Sequence, residues 1–145
     1  MDTSQMQELR NIAHKHGVEY VYTAYIEEML LYSRPFDAET LAKQILDAAM
    51  AKREARLRKC VNAILNSDRG PTVSQMSQAR HLARTNGAMY VYISYIEHLI
   101  SSGGSFYLEK CIETIFNEVM GDYKLRLALG IRDAAGVYLG CDDAV

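Results

Sequence analysis

The chain repeats itself at an offset of seventy residues, and that repeat restricts its fold more than any other feature. Ser4-Gln5-Met6 matches Ser74-Gln75-Met76, Tyr20-Val21-Tyr22 matches Tyr90-Val91-Tyr92, and Tyr25-Ile26-Glu27 matches Tyr95-Ile96-Glu97. Gly17 falls on Gly87, and single matches such as Ala13/Ala83, Phe36/Phe106, Ile45/Ile115 and Leu57/Leu127 extend the alignment without a gap. Eighteen of 54 aligned positions between residues 4 and 57 are identical, where ordinary residue usage gives about three or four. A repeated segment of this length is a supersecondary unit that buries its apolar face against its own copy.

Apolar spacing gives the unit its helices. Met6, Leu9, Ile12 and Ala13 form a helical stripe, and Met76, Ala79, Leu82 and Ala83 form its counterpart. Ser4 with Gln7, and Thr72 with Gln75, have capping-box spacing. Gly17 and Gly87 then end the first helices, because glycine enters the left-handed region without strain. The second helices run over about residues 18–31 and 88–101. They carry apolar residues on nearly every side, which predicts burial on most sides. For the third helix, Asp37 is the expected N-cap of the first copy, with Phe36 as a staple on Leu41, and Ser105 the expected cap of the second. Gly121-Asp122 predicts a break and a fourth helix from about Tyr123 to Leu139, whereas the first copy's third helix can run on to Asn66.

The expected fold is therefore all-α. It is a tandem duplication of a roughly 70-residue unit of three to four helices, stacked as one compact bundle. Residues 1–66 form the first repeat, 67–71 a linker, 72–140 the second repeat and 141–145 a tail. A length of 145 residues with 49% hydrophobic and 23% charged content suits a globular chain with a real core. No apolar run approaches the about 20 residues that cross a bilayer, and the polar start Met1-Asp2-Thr3-Ser4-Gln5 lacks the plan of a signal peptide. Three widely spaced cysteines, Cys60, Cys111 and Cys141, read as reduced thiols rather than a disulfide or zinc framework. The chain is expected to be cytoplasmic.

Four groups of residues are candidates for function. Tyr20 and Glu27, repeated as Tyr90 and Glu97, lie seven apart on a helix face away from the main apolar stripe. That placement suggests a partner surface or a contact between the repeats. A tyrosine set, Tyr20, Tyr22, Tyr25, Tyr32, Tyr90, Tyr92 and Tyr95, fits the margin of a helical core or an interface. Leu82-Ala83, Gly87, Ile93 and Ile96 fit helix-turn-helix spacing, yet the reading helix offers Glu27, Glu28 or Glu97, which phosphate would repel. Finally, Lys52, Arg53, Arg56, Arg58 and Lys59 concentrate positive charge, with Lys52, Arg56 and Lys59 on one helix face. They serve either as a solvated face with a Glu54–Arg58 pair or as a patch for an anionic partner.

No catalytic constellation, cofactor box or metal-ligand spacing emerges, and the histidines do not share a ligand face. The function expected is non-catalytic: a small adaptor, inhibitor or regulator that binds another protein, or a second copy of itself. The alternative is a nucleic-acid-binding regulator using the helix-turn-helix-like pairs or the Lys52–Lys59 stretch. A net charge of −2 disfavours the alternative without removing a local patch.

Overall fold

The computed structural model describes residues 3–67 and 70–140; the predicted tail 141–145, with Cys141, and linker residues Asp68 and Arg69 lie outside them. The described residues are all-helical: α1 (Thr3–Lys15), α2 (Glu19–Leu31), α3 (Ala38–Ser67), α4 (Thr72–Thr85), α5 (Met89–Ser102) and α6 (Leu108–Ala135). The starts of α4, α5 and α6 lie within one residue of a seventy-residue displacement from those of α1, α2 and α3.

The turn after the first helix has one construction in both halves. Gly17 and Gly87 adopt φ of +73° and +70°. The amides beyond them, Val18 and Ala88, donate 2.8 Å bonds to the carbonyls of Ala13 and Ala83. Gly17 and Gly87 donate to His14 and Arg84. This is the Schellman arrangement, and its apolar contact is present because Ala13, Val18, Ala83 and Ala88 are all buried. The same motif ends α2 and α5, with Arg34 donating to Met29 and Gly104 to Leu99. Ser33 at φ +51° stands where Gly103 at φ +71° stands in the second half.

Helix starts depart further from expectation. Asp37 does cap α3, since its carboxylate accepts from the Glu39 amide at 3.2 Å and the Thr40 hydroxyl at 2.7 Å. These bonds, the Thr40 one foremost, hold its carboxyl below the usual aspartate range. Ser4 lies inside α1 rather than before it. The cap of α4 is Pro71, not Thr72, and Gln75 reaches the Gly70 carbonyl. Tyr107, not Ser105, holds the cap position of α6, accepting from the Cys111 amide. Proline presets the extended backbone before α4, and Phe106 fixes the chain one residue before Tyr107 by packing on Tyr95.

α6 also corrects the expected break at Gly121: the helix runs unbroken through Gly121-Asp122 to Ala135. A mid-helix glycine costs about 1 kcal/mol relative to alanine. Burial of Ile112, Ile115, Val119, Leu127 and Ile131 along the same helix outweighs that. α3 is likewise continuous to Ser67.

In space the chain groups into two compact units whose limits fall inside these long helices rather than at the linker. One contains Met1–Arg53 and Tyr123–Val145, the other Glu54–Asp122. The first unit's core joins Leu9 and Ala13 of α1, Tyr25 of α2, Leu41, Ile45 and Ala49 of α3, and Leu127, Ile131 and Ala135 of α6. Gln5 of α1 donates to the Ala135 carbonyl at 2.9 Å, fixing the end of α6 in this unit. The second unit buries Leu57 and Val61 of α3 together with Ala79, Leu82 and Ala83 of α4, Val91 and Tyr92 of α5, and Ile112, Ile115 and Val119 of α6. Position by position, Leu57 and Val61 match Leu127 and Ile131 at the seventy-residue offset. The late half of each third helix thus fills the unit built mainly from the other sequence copy.

Candidate functional site

α2 packs on α1, and α5 on α4, with one side only. Within α2 only Tyr25 is buried, and within α5 only Val91 and Tyr92. The expected burial on most sides is therefore not what the chain adopts. The first unit's core takes up Tyr25 with the half-buried Val21, Tyr22, Ile26 and Met29 of α2, and the other large apolar residues stay in solvent. Tyr20 is 66% exposed, Leu30 81% and Leu31 76% on α2. On α5 Tyr90 is 54% exposed, with Ile93 and Ile100 also exposed. Glu27 and Glu97 are exposed on the same faces. Helical spacing aligns Tyr20, Ala24, Glu27 and Leu31, and likewise Tyr90, Ser94, Glu97 and Ser101. At Tyr90 the halves differ: its hydroxyl donates to Glu118 at 2.8 Å, while Ala48 stands at the matching position in the first half.

The other tyrosines divide by role. The Tyr25 hydroxyl donates to the Asp37 carbonyl at 3.1 Å and accepts from the Asp37 amide at 2.8 Å. Its ring meets Phe36 edge-on at 5.9 Å, so Phe36 is fixed against Tyr25. Tyr95 repeats this with Tyr107 at 3.4 Å for both bonds and with Phe106 at 6.0 Å. The repeated Tyr and Phe thus anchor the start of the third helix.

The basic stretch is largely engaged within the fold. Lys52 Nζ donates to the Gly17 carbonyl at 3.0 Å, at the C-terminal end of α1 where a cation is favourable. The Arg53 guanidinium lies 5.7 Å from the Tyr123 ring centre. Arg58 pairs with Glu113 at 2.7 Å, not with Glu54, and covers the Phe116 ring at 3.7 Å. Arg56 and Lys59 are exposed. In the helix-turn-helix-like pair Ile93 is 47% exposed, although that pattern requires an aliphatic packed between the helices.

Among the clefts of the first unit, two have mainly apolar linings. One, of about 300 Å³, is bordered by Met6, Ile26, Met29, Leu30, Arg34 and Phe36. The other, of about 430 Å³, lies between α1 and the late half of α6. Spacings of three and four place Lys15 and His16 beside Ile12, and Leu127, Gly130 and Ala134 in line with Tyr123. His16 Nδ1 and the Tyr123 hydroxyl share a 2.8 Å hydrogen bond, and the two rings meet edge-on at 5.6 Å. Burial, and then the Lys15 charge, push His16 below its ordinary value of 6.5. Sequence reasoning missed this cleft because His16 and Tyr123 are 107 residues apart and stand at unlike positions of the repeat. The one local signal was Gly130, a glycine inside a helical pattern.

Among the described residues no group of three or more His, Cys, Asp or Glu side chains is placed to hold a metal ion. No described helix is long and apolar enough to cross a membrane. Cys60 is exposed and Cys111 buried, both as free thiols. Burial pushes the Cys111 thiol up to about 11, which keeps it protonated and unreactive at neutral pH. Compared with models of protein families, with curated proteins and with solved structures, the chain matches none.

Proposed function

We propose that this chain is a tandem duplication of a roughly 70-residue helical unit that acts without catalysis, by binding another protein through the outer faces of α2 and α5. The observation that carries this reading is the exposed apolar set Tyr20, Leu30 and Leu31, answered by Tyr90, Ile93 and Ile100. Large aromatic and aliphatic side chains grouped in solvent are the usual anchors of protein interfaces. Glu27 and Glu97 lie within these faces, so a partner that sets a basic group among apolar ones is favoured over nucleic acid. Arg56 and Lys59 are the exposed remainder of the basic stretch for the nucleic-acid alternative.

Affinity capture with the wild type and with Tyr20→Ala and Tyr90→Ala variants tests the proposal, alongside sedimentation for self-association. A partner, or a second copy, bound by the wild type and lost in the variants at unchanged melting temperature supports it. Equal capture by all three chains would remove these faces from consideration. Duplex binding that weakens steeply with salt would instead favour the nucleic-acid reading.

A further inference from the structure

We propose that residues 123–140, the late half of α6 and the segment after it, exchange between two copies of this chain. In the resulting dimer each first unit is completed by the other chain's α6. The segment supplies Leu127, Ile131, Ala135 and Val137 to the core that also holds Leu9, Leu41 and Ile45. Hydrogen bonds fix it at two points, His16 with Tyr123 at 2.8 Å and Gln5 with the Ala135 carbonyl at 2.9 Å. A second copy presents the same side chains and the same bonding groups, so the exchange gives up none of these contacts. This surface therefore fits a copy of itself, and it uses neither the α2 nor the α5 face.

One chain already makes this exchange between its own halves. Leu57 and Val61 are buried in the second unit, and their counterparts at the repeat offset, Leu127 and Ile131, are buried in the first. Each sequence copy keeps the early half of its own third helix and takes the late half from the other copy. That is the reciprocal pattern of a swapped dimer carried on a single chain, and it rests on reading the chain as a tandem duplication. The helices cross between units at Arg53/Glu54 and at Asp122/Tyr123, which agree to within one residue at the repeat offset. Gly121 supplies a hinge beside the second crossing. It lies inside α6 without a left-handed backbone, and an added Cβ would meet nothing within 4 Å. α3 has Ala51 at the matching position, so α6 opens more readily here than α3 does. Because the two states share their cores, chain concentration decides between them, against an effective concentration of about 1 mM for a segment tethered through a flexible hinge.

Refolding the full chain from denaturant at about 1 mM and at about 10 μM, above and below the concentration at which exchange competes, tests the assignment. Size-exclusion chromatography with light scattering should show dimer from the first and monomer from the second. In dimer refolded from a mixture of isotopically labelled and unlabelled chains, filtered NOEs should join Leu127 and Ile131 methyls of one chain to Leu9, Leu41 or Ile45 methyls of the other. Gly121→Ala, which favours the closed helix, should lower the dimerisation constant by about five-fold for each of the two hinges. Tyr20→Ala combined with Tyr90→Ala should leave the dimer unchanged, so that this proposal and the reading of the α2 and α5 faces stand or fall separately. Monomer at both concentrations, a dimer without those intermolecular NOEs, a dimer indifferent to Gly121→Ala, or one lost with the two tyrosines would each overturn the proposal.

Discussion

Tyr25 and Tyr95 hold the start of the third helix by bonding both backbone groups of one residue, and this explains why they and Phe36/Phe106 recur. Tyr25→Phe should lower stability by about 1–2 kcal/mol, the loss expected when the part-buried Asp37 amide is deprived of its acceptor. Tyr95→Phe should cost less because its bonds are longer; chemical denaturation of both variants checks the order. Ser33 adopts a left-handed backbone that disfavours side chains, so Ser33→Gly should raise stability by about 0.5–1 kcal/mol. His16 gives a pH signature. Its folded value lies below 6.5, so between the two the unfolded chain holds a proton that the folded chain lacks. Stability should therefore fall as pH drops through 6.5 and level off below the folded value. In His16→Asn, the residue found at the matching position 86, that part of the slope should vanish on denaturation at about pH 7.5 and 5.5.

Helices were more legible than their ends. The stripes of α1 and α4, the glycine stops at Gly17 and Gly87 and the Asp37 cap follow from local chemistry, and local chemistry is what sequence shows directly. The caps at Pro71 and Tyr107 do not show in the sequence, because proline's preset backbone replaces a capping side chain at the first and a tertiary anchor, the Tyr95 hydroxyl, at the second. Gly121 read as a stop for the same reason in reverse: its local cost is real, and burial on both sides of it is not visible in its neighbours. Gly121→Ala should accordingly raise stability by about 0.5–1 kcal/mol, since its Cβ would meet nothing within 4 Å. A helix broken at that point would show no such gain in a thermal melt. The exposure of α2 and α5 is not legible because a stripe says which residues are apolar, not how many neighbours arrive to cover them.

For the whole molecule, the repeat points to two similar units but not to which segments complete them. The cores show it: Leu127 and Ile131 lie with Leu9, Leu41 and Ile45, while Leu57 and Val61 belong to the unit of α4 and α5. The first of these groupings joins residues more than eighty positions apart, beyond any periodicity. A fragment of residues 1–66 lacks the α6 side chains that close its core, and by circular dichroism it should be poorly folded as a monomer. The candidate clefts and faces depend on this arrangement, since the cleft beside His16 needs α1 and late α6 together. Native-state hydrogen exchange on Ile131→Ala tests it most directly, with a loss of about 2–5 kcal/mol expected at a fully buried isoleucine. Protection should fall at Leu9, Leu41 and Ile45 and persist at Ala83, Val91 and Ile115. Loss concentrated at Ala83, Val91 and Ile115 instead would contradict the account.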